Sequence, residues 1–127
     1  MAKILVVDDE LSVRLVIQCL LKEKGYETAE ASNGLAALKL LETTLFDLII
    51  TDLRMPDMDG MEFLREAKKL EASPPVIILT AYTSIETAME AMKSGVFNYL
   101  SKPFKANDLL SAVKNALDAG KSKTSLT

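Results

Sequence analysis

Histidine and tryptophan are absent from the 127 residues, and cysteine occurs once. Without histidine there can be no Ser-His-Asp or Cys-His device, no His-ligated zinc and no internal phosphohistidine. The single thiol, Cys19, cannot close an intramolecular disulfide. It lies inside LVIQCLL, a context that predicts a small core residue and fits a reducing cytoplasm. Basic blocks are missing too: the 15 Lys and Arg are scattered and the net charge is −3. That excludes the electrostatic footprint of a chain that itself grips nucleic acid or an anionic membrane. Only four apolar residues follow Lys3 before three acids, too few for a secretory signal, and no stretch approaches a membrane span. The expectation is a soluble, cytoplasmic protein whose chemistry runs on carboxylates, lysines and hydroxyls.

What the chain does have is enough apolar sequence, 49% of residues, for one domain with a proper core. Three continuous runs rich in β-branched residues, Ile4 to Val7, Leu48 to Ile50 and Val76 to Leu79, predict strands buried on both faces. Two mixed segments, Tyr26 to Ala31 and Phe97 to Leu100, predict edge strands. Between them, helical spacing links Val13, Val16, Ile17, Leu20 and Leu21, then Leu38 and Leu41, then Phe63, Leu64, Ala67 and Leu70. Ile85, Ala88, Met89 and Met92 continue the series, with both methionines assigned to the core, and Leu109, Leu110, Val113 and Leu117 complete it. Gly25 and Gly95 fall where helices should stop, and Ser84 can cap the fourth helix. This alternation predicts an α/β fold: a doubly wound, five-stranded parallel sheet of order 2-1-3-4-5, a flavodoxin-like (βα)5 unit. It should occupy residues 1–119, with 120–127 (GKSKTSLT) a flexible tail or linker.

In such sheets ligands sit beyond the carboxyl ends of the strands. Asp8, Asp9 and Glu10 follow the first strand, Asp52 the third, Thr80 the fourth and Lys102 the fifth. Clustered carboxylates repel, so they raise one another's pKa or bind a cation, and an oxygen-only site with few protein ligands suits Mg2+. With a lysine and a hydroxyl beside them they make a phosphoryl site: a carboxylate nucleophile, a metal, and groups to hold the phosphoryl oxygens.

VVDDE, TDLRMPDMDG, ILTAY and YLSKPF, in that order across residues 4–104, resemble the receiver domain of bacterial two-component response regulators. DLRMPDMDG and ETAMEAMKSGVFNYLSKPF look most like receivers of the nitrogen-regulatory, sigma-54 activator type. The resemblance implies that Asp52 accepts a phosphoryl group from a sensor histidine kinase. It implies a Mg2+ site from Asp8, Asp9 and Asp52, completed by the backbone carbonyl of Arg54. Thr80 and Lys102 would contact the phosphoryl oxygens, and Tyr99 would be an aromatic switch following Thr80. Phosphorylation would then change the surface of the fourth helix, fifth strand and fifth helix and control an output, transcription in this type. Implied partners are a second receiver and, in a longer chain, an ATPase and a DNA-binding domain. The Lys102-Pro103 bond is usually cis in this family, whereas residue preference alone favours trans. Arg54 and Tyr82 would flank the attacking water and bear on the lifetime of the acyl phosphate.

Each residue taken singly has a duller reading. An Asp after a strand is ordinarily a cap or turn former, Thr80 an ordinary cap, Lys102 a solvated charge and Tyr99 edge packing. Asp57, Asp59 and Gly60 read as turn and cap for the third helix, with Glu62 completing a capping box. Residues 55–66, MPDMDGMEFLRE, nearly match a calcium-binding EF-hand loop, but Met55 stands where its first carboxylate should be. Two rival functions remain: a Mg2+-dependent aspartyl-nucleophile phosphatase, which needs a second acid where Arg54 stands, and an unreactive receiver-like binding module.

Overall fold

The structure, a computed structural model, describes residues 2–55, 58–70, 73–81 and 84–125, and for 120–125 the backbone alone. Strand and helix alternate throughout: β1 (Lys3–Val7), α1 (Leu11–Glu23), β2 (Glu27–Ala31), α2 (Gly34–Thr43), β3 (Leu48–Thr51), α3 (Gly60–Lys68), β4 (Val76–Thr80), α4 (Ile85–Lys93), β5 (Asn98–Ser101) and α5 (Ala106–Ser125). The five strands pair in parallel in the order β2-β1-β3-β4-β5, as the sequence pattern predicts.

The apolar runs are continuous because both faces of the central strands are covered. Alternation sends Leu5, Val7, Ile49 and Ile78 into one cluster with Phe63, Leu64 and Ala67 of α3. It sends Ile4, Val6, Leu48, Ile50, Ile77 and Leu79 into another, with Ile17 and Leu21 of α1 and Leu109 and Val113 of α5. Full burial of each such side chain stabilises by roughly 1.5–3 kcal/mol, enough for these two layers to fix the sheet rigidly.

Local chemistry sets the helix boundaries. Asn33, Asp59 and Ser84 cap α2, α3 and α4 by accepting from the amides of Ala36, Glu62 and Thr87 at 2.8, 2.9 and 3.0 Å. Gly25 and Gly95, just past α1 and α4, have φ of +86° and +83°, the left-handed conformation glycine enters without strain.

Several side chains assigned to the core are outside it. Cys19 and Val16 are exposed, and Met89 and Met92 are 55% and 52% exposed. The reason is angular: α1 buries Ile17, Gln18 and Leu21, and α4 buries only Ala91. At about 100° per residue, Cys19 stands about 200° from Ile17, and Met89 about 200° from Ala91. A helix lying on a sheet covers a narrow stripe, narrower than the apolar spacing of these sequences suggests. At the C-terminal end, the α5 backbone stays helical to Ser125, into the segment read as a tail or linker. Propagating an established helix needs only one hydrogen bond per residue fixed, so a packed first half extends it readily. No described helix is long and apolar enough to cross a membrane.

Candidate functional site at the carboxyl edge of the sheet

Three of the site residues are the first residue beyond a strand, still held by the hydrogen-bond ladder. The amide of Asp8 donates to Ala31 O at 3.2 Å, that of Asp52 to Val7 O at 3.1 Å, and that of Lys102 to Thr80 O at 2.9 Å. Their Cα positions are therefore as fixed as the sheet itself, while their side chains reach past its edge. Thr80, the last residue of β4, stands level with Ser101 of β5. The Lys102-Pro103 peptide is cis.

The Lys102 Nζ donates to Asp8 Oδ2 and Asp52 Oδ2, both at 2.8 Å, so one ammonium bridges two carboxylates. Asp52 Oδ1 accepts from the Arg54 amide at 3.1 Å, and the Thr80 hydroxyl bonds the same carboxylate. Asp8 Oδ1 accepts from the Glu10 amide at 2.9 Å. Burial pushes the Asp52 carboxyl up, but the bonds from Lys102, Thr80 and the Arg54 amide outweigh it and hold Asp52 below the ordinary aspartate value. At Asp8 burial wins, helped by the charge of Asp52, and the carboxyl is raised despite Lys102. Lys102 is lowered by burial but raised further by its two carboxylates, so it stays charged. Asp52 is thus an ionised carboxylate, 7% exposed, facing a cleft of about 460 Å3 whose walls include Asp9, Arg54, Thr80 and Lys102.

A second feature adjoins this bridge. Carboxylate oxygens of Asp8, Asp9 and Glu10 lie within 4.8 Å of one another, Asp8 buried and the other two exposed. The response regulator receiver domain family matches residues 4–114. The chain belongs to that family. It is 47% identical over 114 residues to the transcriptional regulatory protein ZraR of Klebsiella oxytoca, covering 90% of this chain and 26% of that protein. It is 36% identical to the sporulation initiation phosphotransferase F of Bacillus subtilis (strain 168), covering 91% and 93% of the two chains. Among solved structures, a response regulator receiver domain protein from Clostridium thermocellum superposes with a TM-score of 0.88 at 42% identity, covering 95% of this chain and 98% of that one. The receiver spans about a quarter of the length of the first of these relatives.

The receiver brings together the residues that the strand-end argument placed here. Asp8, Asp52, Thr80 and Lys102 form one hydrogen-bonded group, and Asp9 lines the cleft beside it. Tyr99 sits in β5, half-buried against the cluster containing Ile78, its partner in register. Pro56, Asp57 and Tyr82 lie outside the described residues.

Three participants had no role at the site assigned from the sequence. Glu10 was visible as the third acid of VVDDE but had no assigned role. Gly60 looked like a turn residue, yet a Cβ there would lie 2.5 Å from Leu53 Cα and 2.7 Å from the Asp52 carbonyl oxygen, while its amide donates to Leu53 O at 2.7 Å. The loop after Asp52 folds back against its own start, which only a residue without a side chain permits. Arg14 donates to the Asp8 carbonyl oxygen at 2.7 Å, a contact with no sequence signal because it depends on how α1 lies on the sheet.

Proposed function

We propose that this receiver is the phosphorylatable switch of a two-component system, with Asp52 as the phosphoacceptor. The observation that supports it most is the Lys102 bridge, which leaves Asp52 ionised at an open cleft with a cation and a hydroxyl already in contact. A carboxylate oxygen of Asp52 would bond to phosphorus as the donor's P–N bond breaks, the donor being a phosphohistidine of a sensor kinase. Lys102 and Thr80 would then turn from the carboxylate to the transferred phosphoryl oxygens.

The donor set fits Mg2+: it is all oxygen, and two of its three clustered carboxylates are open to solvent. Asp8, Asp9 and Asp52 would hold the ion with the Arg54 carbonyl, and Glu10 stands within the same acidic group. When bound, Mg2+ neutralises the phosphoryl oxygens and offsets the mutual repulsion of the acids. A phosphatase is disfavoured because Arg54 occupies the position of the second acid and its amide already serves the Asp52 carboxylate.

Thr80 and Tyr99 would carry the change outward. α4 buries only Ala91, so its hold on the sheet is weak and a shift there breaks little packing. Moving a population from 1:99 to 99:1 needs about 5.5 kcal/mol of differential stabilisation, within reach of a dianion engaging Lys102, Thr80 and a divalent ion. The α4-β5-α5 surface would then be the route to an output, a transcriptional one in a longer chain. A second receiver, or ATPase and DNA-binding domains of that longer chain, are the partners this surface suits, in the cytoplasm.

The test is mass spectrometry after incubation with Mg2+ and acetyl phosphate. One phosphoryl group should be added, none to Asp52→Asn, with no sustained phosphate release. An unchanged mass in the metal-loaded wild type, or many turnovers of free phosphate, overturns the reading.

A further inference from the structure

A chain of four polar side chains runs from the edge strand to the acidic turn. Thr28 Oγ1 donates to Gln18 Oε1 at 3.0 Å, Gln18 Nε2 to Glu30 Oε2 at 3.0 Å, Arg14 Nε to Glu30 Oε1 at 2.6 Å, and Arg14 Nη1 to the Asp8 carbonyl oxygen at 2.7 Å. Its geometry follows from two periodicities: Arg14 and Gln18 are one turn apart on α1, and Thr28 and Glu30 share one face of β2. Gln18 is buried and the Arg14 side chain only 12% exposed, so the guanidinium is withdrawn from solvent, while the Glu30 side chain that pairs with it stays 41% exposed.

The Asp8 carbonyl is the point where the sheet stops holding the chain. The Asp8 amide still bonds to Ala31 O, but the next peptide plane, which aims Asp9, lies beyond β1. Arg14 fixes that plane from the other side. An isolated guanidinium so near the acids would repel a divalent cation, yet Glu30 is paired with it and offsets the charge. Glu30 thus leaves Arg14 a rigid donor with little net field.

We propose that Arg14, neutralised and oriented by Glu30 and Gln18, is a positioning residue that presets the Asp8–Asp9–Glu10 turn for a divalent cation. This rests on the proposed Mg2+ site. Partners that orient ligands in this way typically change metal affinity by 10–100-fold when removed.

The experiment is calorimetric titration of Mg2+ into wild type, Arg14→Met, Arg14→Lys and Glu30→Gln, with circular dichroism to establish that each is folded. Arg14→Met should weaken Mg2+ binding about tenfold. Arg14→Lys should lie between, since an ammonium lacks the fork that reaches Glu30 and the carbonyl together. Glu30→Gln should also weaken binding, because it leaves the guanidinium charge uncompensated. Phosphorylation by acetyl phosphate in Arg14→Met should slow at low Mg2+ and recover at saturating Mg2+. If folded Arg14→Met and Glu30→Gln bind Mg2+ within twofold of wild type, the inference is wrong while the metal site stands. If wild type itself binds no Mg2+, the site and this inference fall together.

Discussion

Lys102 and Asp52, fifty positions apart in sequence, are joined by a 2.8 Å charge-assisted hydrogen bond, and the same ammonium holds Asp8 at the same distance. The two carboxylates therefore share one counter-charge at the edge of a dense sheet. Their cation comes from the tip of β5, two strands from β3 with β4 between them.

Removing that ammonium should expose the repulsion it masks. Lys102→Met is expected to lose about 2 kcal/mol of stability, less than the 3–5 kcal/mol of a fully buried pair because the cleft admits water. Urea denaturation measures this, and added Mg2+ should restore much of the loss. Equal loss with and without Mg2+ would show that the residue acts through packing instead.

At Gly60 the expectation concerns shape alone. In Gly60→Ala the added methyl meets Leu53 Cα and the Asp52 carbonyl, so backbone must move at a cost of about 1–3 kcal/mol. Phosphorylation should slow with it, since Asp52 begins the displaced loop. Unchanged stability and rate would mean that the loop is free to relax.

Glu30 offers a pH test away from the acidic turn. Its carboxyl is held below the ordinary glutamate value of 4.5 by hydrogen bonds from Gln18 and then Arg14, with the Lys22 charge adding a little. A lowered folded-state pKa contributes stability that is present above the unfolded value and disappears as pH falls through the folded one. Carboxyl-detected NMR should place the Glu30 titration below 4.5, and Gln18→Leu should move it upward. A midpoint at the ordinary value in wild type would contradict the network.

The exposed methionines separate two accounts of α4. Met89→Ser should change stability by no more than about 0.5 kcal/mol, as for other surface sites. Leu64→Ala, in the buried layer of α3, should lose about 2–5 kcal/mol. Comparable losses at both would return Met89 to the core.

Thr80→Ala tests the route outward. Phosphorylation of Asp52 should persist, because Lys102 and the Arg54 amide remain, but the amide shifts in α4 and β5 that the proposed switch requires should largely vanish in NMR spectra. Shifts of wild-type size would remove Thr80 from the relay.

How far the sequence could be read depends on how local each signal is. ILVV, LII and VIIL read as strands covered on both faces, and their alternation with helices argued for a parallel sheet whose tips carry Asp8, Asp52, Thr80 and Lys102. Caps and stops at Ser84, Asp59, Gly25 and Gly95 are equally local, and all four function as such. Helix faces were harder: Cys19 and Met89 share the apolar spacing of their buried neighbours, and only the angle at which each helix meets the sheet puts them outside.

The primary structure by itself determined the order of elements and the chemistry at each strand tip, because backbone preference and hydrophobic period act over a few residues. Tertiary structure alone decided that one lysine serves two aspartates, that Gly60 closes against Asp52, and that Arg14 reaches the Asp8 carbonyl through a partner on the edge strand. Those contacts join segments far apart in the chain, and their energies depend on distances of a few ångströms that only the packed sheet and its helices establish.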